Sequence, residues 1–342
     1  MFWFIDSTLP RTLRIRPPVL AALGLLVSLG ACNAKTPQPQ VSAGPVALPT
    51  ESQLEAQRAL PAVKALMDKT RKNLRFIEGG SYEMGDFGPK HSEEHLYYTR
   101  GDDNKAVHKV TLTSFSMSAY KSTWEDFDVY STALGQKPLP AFVEKMRFPK
   151  AAAGVDWYQA RGYCQWLGAL LKLPMDLPTE AQWEYAARNR GQYFLFATDN
   201  GKAEDGRNVW SFEQRERQLD ELKLGANPPS LPLGQFPPTP LGLYDMMTDG
   251  HEWMLDWYAA DYYAHSPELN PPGPATGTEK VLRGSYGRAG EGLVYGDGMT
   301  ITRSKRAPNP PLLDKKDPTS RQVSDSTARC VVNLDKPVSV QP

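Results

Sequence analysis

The sequence predicts an irregular, loop-rich α+β domain, and three observations predict it. Thirty prolines and 27 glycines in 342 residues interrupt the chain too often for long helices or broad regular sheets. Short alternating runs, such as the one containing Val110 and Leu112, read as half-buried strands. Residues 177–188 read instead as a helix with a complete start signal. Hydrophobic residues make up 40% of the chain, enough to bury a sizeable core, and the 10% that are aromatic must carry much of its packing. The 39 basic and 39 acidic residues cancel. That leaves no electrostatic footprint for a nucleic acid, and none is expected as a partner.

Taken from the N-terminus, Arg11, Arg14 and Arg16 precede an apolar run over residues 19–29, the layout of a secretory signal peptide rather than of a membrane span. The run ends in Leu29-Gly30-Ala31-Cys32, which resembles a bacterial lipobox, in which Cys32 becomes a lipid-bearing N-terminus after cleavage. Asn33 follows it where an aspartate would resemble an inner-membrane signal, so the expected location is the periplasm, anchored by lipid to the outer membrane. Residues 1–31 are thus read as signal peptide and residues 32–50, rich in Pro, Gln and Ser, as a flexible tether. With Cys32 lipidated, Cys164 and Cys330 form an even pair in an oxidising compartment and predict one disulfide.

Leu54, Leu60, Val63, Leu66 and Met67 mark a helical segment over residues 51–73, restarted at Pro61, which either packs on the domain or extends the stalk. Residues 76–85 place Gly79-Gly80 between two strand-like runs, the pattern of a tight hairpin. Residues 107–115 read as a strand. The loop before it contains His91-Ser92-Glu93-Glu94-His95, whose histidines have the spacing of a zinc-binding helix. Its neighbours lack apolar periodicity, so a solvated loop is expected. Residues 120–130 and 151–171 read as helices, the second with a buried face of Trp157, Tyr163 and Trp166. In residues 177–188, Thr179 and Gln182 form a capping box. Trp183, Ala186 and Ala187 share one face there, and Glu180, Glu184 and Arg188 are expected to point outward. A charged helical insertion over residues 212–224 and a strand over residues 281–286 complete the set.

In this order the segments resemble the formylglycine-generating enzyme and sulfatase-modifying-factor family across residues 74–333. The resemblance rests on Val155-x-Trp157 with Ala160-x-x-Tyr163-Cys164-x-Trp166, on Leu177-Pro178-Thr179-Glu180 running on to Arg188, and on Gly242-Leu243-Tyr244-Asp245-Met246 before Asp249-Gly250-His251-Glu252-Trp253. It implies a compact α+β fold with little regular structure, related to C-type lectin-like domains, followed by a tail over residues 334–342. It also implies the Cys164–Cys330 pairing. Enzymes of the family bind copper through two cysteines after an Arg-Gly-Gly-Ser segment, because a thiolate is needed to ligate Cu(I). Here the segment reads Arg283-Gly284-Ser285-Tyr286, and Arg288 and Leu293 stand where the resemblance places the cysteines. No copper is expected, and with five histidines and no second domain, no iron. Structural calcium is the cofactor the resemblance implies, held at Asp249, Gly250 and Glu252 and at Asn208, Val209 and Asp220.

The expected function is therefore non-catalytic: a lipid-anchored periplasmic protein that binds a partner protein through long polar loops at residues 85–106, 212–231 and 305–328. By analogy, the resemblance points to an immunity protein that neutralises an antibacterial phospholipase effector, a toxin of a type VI secretion system. Two alternatives stay open. One is an enzyme of altered chemistry in the degenerate groove of Ser285, Arg288, Leu293 and His251, with Glu252 beside it. The other is envelope scaffolding or glycan binding through Trp257, Tyr258, Tyr262 and Tyr263, residues equally suited to a core.

Overall fold

Two helices, the first with a capping box, open the first described stretch. In a computed structural model the described residues are 47–138, 147–223, 230–285, 298–310 and 325–338. Cys32 and the signal-peptide reading, like Arg288 and Leu293, lie outside them. Helix α1 (Glu51–Arg58) starts at Thr50, whose hydroxyl accepts from the Gln53 amide while the Gln53 side chain reaches back. Helix α2 (Pro61–Asn73) carries Pro61 in its first turn, where a missing N–H leaves no bond unmade.

The hairpin expected at Gly79-Gly80 does not form. Strand β1 (Leu74–Ile77) and strand β2 (Gly80–Met84) are followed by the one-turn helix α3 (Gly88–His91), then by strand β3 (His108–Leu112) and strand β4 (Phe115–Ser118). β1 pairs with β4 and β2 with β3, both antiparallel and in one continuous register, Ile77 opposite Phe115 and Gly80 opposite Leu112. The glycines mark a break inside one long two-stranded ribbon. A Cβ at Gly79 would collide with the Leu112 carbonyl oxygen, and the Gly79 amide donates to Ser114 Oγ at 3.0 Å. α3 ends at His91, and His95 takes φ 55°, so the two histidines share no helical turn and both stay exposed.

Helix α4 (Trp124–Ala133) is capped by Thr123 and Asp126, and helix α5 (Trp157–Leu171) by Asp156 and Gln159. α5 starts later than its apolar pattern suggests, because Ala151 and Ala152 bridge to Pro232 and Thr123 in extended form. Strand β5 (Met175–Asp176) leads into helix α6 (Glu180–Ala187), which begins at the Thr179–Gln182 box, and helix α7 (Phe212–Glu221) forms the charged insertion. Strands β6 (His251–Trp257), β7 (Lys280–Arg283), β8 (Ser304–Arg306), β9 (Ser326–Thr327) and β10 (Val331–Val332) follow. They complete two four-stranded sheets, β1-β4-β10-β5 and β8-β7-β6-β9, beside the β2–β3 ribbon. The α+β architecture with short elements and long connections is the one the sequence predicts.

α5 is the centre of the larger core. Its Tyr163 stacks on Phe127 (4.7 Å between centroids), its Trp157 indole donates to Met254, and Cys164 is joined to Cys330 with Cα atoms 5.5 Å apart. α1 docks on the same helix rather than extending a stalk. Gln57 accepts from the Trp166 indole (2.9 Å), and Arg58 donates to the Ala169 and Leu170 carbonyls, both at 2.9 Å, in the last turn of α5, where no helical partner remains for them.

Candidate functional site

α6 is buried at every residue except the half-buried Gln182, which corrects the amphipathic reading of residues 177–188. Glu180, Glu184 and Arg188, expected to face solvent, are 2%, 0% and 0% exposed. Distant guanidinium groups make this burial tolerable. Glu180 pairs with Arg283 (2.9 Å) and Arg303 (2.8 Å), and Glu184 with Arg283 (2.8 Å) and Arg188 (2.9 Å). Several further N–H groups go to carbonyls, those of Arg188 to Glu83 (2.7 Å) and Gln192 (2.9 Å), and one of Arg303 to Asp103 (2.7 Å), while Arg283 Nε is buried without a hydrogen-bond partner. Burial alone would raise the Glu180 carboxyl, but Arg303 and Arg283 outweigh it and hold the group below its ordinary value. Asp256 behaves oppositely. Its Oδ2 accepts the Glu180 amide at 2.8 Å, and burial, reinforced by the Glu180 charge, pushes it up to about 7.

A second charged centre lies at the turn before β6. Positive φ values at Asp245 (56°), Asp249 (63°) and Gly250 (98°) bend the backbone so that the Thr248 and Gly250 carbonyl oxygens meet one point. The ammonium of Lys121 fills that point. Fully buried, it donates to Thr248 and, at 2.7 Å, to Gly250, and lies 3.9 Å from Glu252 Oε1. Arg329 binds both oxygens of Glu252 at 2.9 Å, and the Trp183 indole donates to the same carboxylate at 2.9 Å. Arg329 also donates to the carbonyls of Ser118 (2.9 Å), Ala119 (2.8 Å) and Tyr244 (2.8 Å), tying the end of β4 to the turn. Asp249 accepts the Leu231 amide (3.0 Å) and the Thr248 hydroxyl (2.8 Å). Burial depresses the Lys121 ammonium below the usual lysine range, against the opposing pull of Glu252 and Asp249. Trp183 links the two centres, since the Arg283 guanidinium lies 5.1 Å from its ring centroid.

This donor set does not fit calcium. The ion takes about six to eight oxygens, yet Glu252 is committed to Arg329 and Trp183, the Gly250 carbonyl to Lys121, and Asp249 to the Leu231 amide and the Thr248 hydroxyl. The second expected set fares no better. Asn208 Oδ1 accepts the Glu204 amide (2.8 Å), the Val209 carbonyl accepts the Gly206 amide (2.8 Å), and Asp220 is exposed in the last turn of α7. The nearby carboxylates of Asp199 and Glu204 are paired with Arg207. Among the described residues, no group of three or more His, Cys, Asp or Glu is placed to hold a metal ion.

The degenerate groove comes together only in part. His251 Nδ1 lies 3.2 Å from the Gly284 carbonyl, next to buried Ser285, and the His251 amide donates to Asp325 at 2.7 Å. Of the four aromatics, two belong to the core and two, Trp257 and Tyr258, are half-buried. Tyr262 and Tyr263 are buried, Lys280 Nζ sits 3.7 Å from the Trp257 ring centroid, and Lys305 Nζ 4.6 Å from that of Tyr258. Sequence reasoning missed Lys121, Arg303 and Arg329, because an isolated cation beside a strand carries no periodicity. Arg329 had one usable signal, its place next to Cys330, whose disulfide fixes where the neighbouring side chain enters the core.

Comparison with known proteins follows the same lines. The family model described as the sulfatase-modifying factor enzyme 1-like domain matches residues 61–311. The chain is 27% identical over 253 residues to the serine/threonine-protein kinase pkn1 of Chlamydia pneumoniae, covering 68% of this chain and 35% of that protein. It is 35% identical over 133 residues to the formylglycine-generating enzyme of Streptomyces coelicolor, covering 38% of this chain and 40% of that one. It is also 32% identical over 168 residues to the inactive C-alpha-formylglycine-generating enzyme 2 of Bos taurus, covering 48% of each. The chain spans about a third of the length of the first curated relatives it matches. Among solved structures it is similar to PvdO from Pseudomonas aeruginosa, with a TM-score of 0.56 at 22% identity over 76% of this chain and 94% of that one. Treponema denticola variable protein 1 gives 0.54 at 20% identity over 76% and 95%. At these identities the structural likeness speaks to the fold.

Proposed function

Because the chain belongs to the sulfatase-modifying factor enzyme 1-like domain family, we propose that it uses this fold as a binding scaffold, without the copper–thiolate chemistry of the family's enzymes. One observation carries the reading: no cysteine follows Arg283-Gly284-Ser285 in sequence before Cys330, and Cys330 is bonded to Cys164, so among the described residues no free thiolate is offered there. The Bos taurus relative with "inactive" in its name is similar over about half of this chain. The ligand we propose is a protein, gripped by the loop at residues 85–106. Leu96 (65%) and Tyr97 (46%) are exposed there, beside Tyr193 (43%), which stacks on His91 at 5.0 Å. Exposed aromatic anchors of this kind are enriched at protein interfaces.

In full, the proposal is a periplasmic lipoprotein held to the outer membrane through Cys32, an immunity protein that occludes an antibacterial phospholipase effector delivered by a type VI secretion system. The lipobox-like Leu29-Gly30-Ala31-Cys32 supports the anchor, and analogy supports the choice of toxin. The test is co-purification of the full-length protein with the product of the neighbouring gene. A complex weakened at least tenfold by Leu96→Asp with Tyr193→Ala is expected. No complex with that product, or turnover of a thiol-containing peptide by the purified protein, removes the proposal.

A further inference from the structure

We propose that the cavity between α2, the end of β4 and the first turn of α4 is a binding site for a zwitterion with an apolar side chain, the chemistry of a free aliphatic α-amino acid. The cavity measures about 330 Å³ and falls among small-ligand sites, which run from about 300 to 1,000 Å³. It shares no residue with the loop at residues 85–106, so it does not depend on the partner surface proposed above. Helix α2 builds one wall, because Leu66, Thr70 and Asn73 recur at helical spacing on a single face. Leu66 joins Tyr163 and Leu167 of α5 in the apolar end of the cavity, where none of the three is more than 5% exposed. An aliphatic side chain is the natural occupant of that end.

The polar part of the lining holds two cation–carboxylate pairs, one closed and one open. Lys69 binds Asp126 at 2.7 Å, and the third lysine of the lining, Lys121, is already spent on the turn before β6. Among the described residues, the Lys150 ammonium and the Glu125 carboxylate have no hydrogen-bond or ion-pair partner, and neither have the side chains of Asn73 and Ser118. The backbone sets the open pair side by side. The Glu125 amide donates to the Pro149 carbonyl at 3.0 Å, and the Lys150 carbonyl accepts the Leu233 amide at 3.1 Å, so the two charges rise from adjacent segments. Both are exposed, which puts them at the mouth. A lone anion there would meet Glu125 as well as Lys150, and a lone cation the reverse. A head that carries an ammonium and a carboxylate on one carbon satisfies both, with Asn73 and Ser118 left to bond its remaining oxygen and N–H groups.

Isothermal titration calorimetry of the full-length protein with L-leucine tests this. The comparison ligands are leucinamide, which lacks the carboxylate, N-acetylleucine, which lacks the ammonium, and glycine, which lacks the side chain. Leucine is expected to bind in the millimolar range or tighter, and each comparison ligand roughly tenfold more weakly or worse, the cost of one lost charged or apolar contact. Lys150→Ala should bind leucine and leucinamide equally, and Glu125→Gln should bind leucine and N-acetylleucine equally, because each variant removes the group that tells the two ligands apart. Both side chains are exposed, so neither substitution disturbs the core. No heat of binding from leucine at millimolar concentrations overturns the proposal. Leucine binding that both variants leave unchanged overturns it too, since the ligand would then sit elsewhere. So do comparison ligands held as tightly as leucine, which would mean that the mouth does not read charge.

Discussion

Single residues in this protein are governed by charge held out of water. Trp183 illustrates it: its indole N–H serves Glu252 while its face supports Arg283, so one side chain joins two ion-paired centres. Asp256 offers the sharpest test. Its folded carboxyl is pushed up to about 7 by burial and by the neighbouring Glu180, so the folded state holds that proton more tightly than the unfolded chain does. Its contribution to stability is therefore full below about pH 4 and is lost as pH rises through about 7. Asp256→Asn keeps an acceptor for the Glu180 amide and removes the titration. The stability difference between wild type and variant, measured by urea unfolding from pH 5 to pH 8, should move steadily in the variant's favour as pH rises. A difference independent of pH would refute the assignment. None of this was legible in sequence. Glu180 and Glu184 look like the outer face of a helix until Arg283 and Arg303, 99 to 123 positions on, are folded against them.

Helices were readable because their start signals are local. Thr50 with Gln53, Thr123 with Asp126, Asp156 with Gln159, Thr179 with Gln182 and Ser211 with Gln214 each place a donor and an acceptor three residues apart, and all five boxes form. Docking was not readable, since the Trp166 indole that receives α1 at Gln57 is 109 residues away. Strand pairing failed for a related reason. A glycine pair suits either a tight turn or a close backbone approach, and only the position of Leu112 decides between them. Gly79→Ala should thus destabilise the protein by about 1–3 kcal/mol, because the ribbon must open to admit a methyl group. Chemical denaturation checks this, with Glu78→Ala as the neighbouring control. A loss under about 0.5 kcal/mol, the range of ordinary surface changes, would show that the two backbones are not in contact there.

Over the whole molecule, the family motifs gave the α+β class and the pairing of Cys164 with Cys330, because they specify which elements exist without specifying which strands are neighbours. That bond spans 166 residues. By the chain-entropy model, its loss raises the freedom of the unfolded state by about 4–5 kcal/mol. Cys164→Ser with Cys330→Ser should accordingly lower the unfolding free energy by roughly 2–5 kcal/mol, and reductant should then have no further effect on the variant. Continued sensitivity to reductant would point to another covalent bond. Residues 325–338 carry a last consequence. They supply β9, Arg329, Cys330 and β10, and β10 lies between β4 and β5, inside the sheet rather than at its rim. A ribosome makes this stretch after everything it must fit between, so the nascent polypeptide has a gap where its middle strand belongs. Until that stretch is made, β4 and β5 face an open slot, and the finishing strand acts as the latch that joins them.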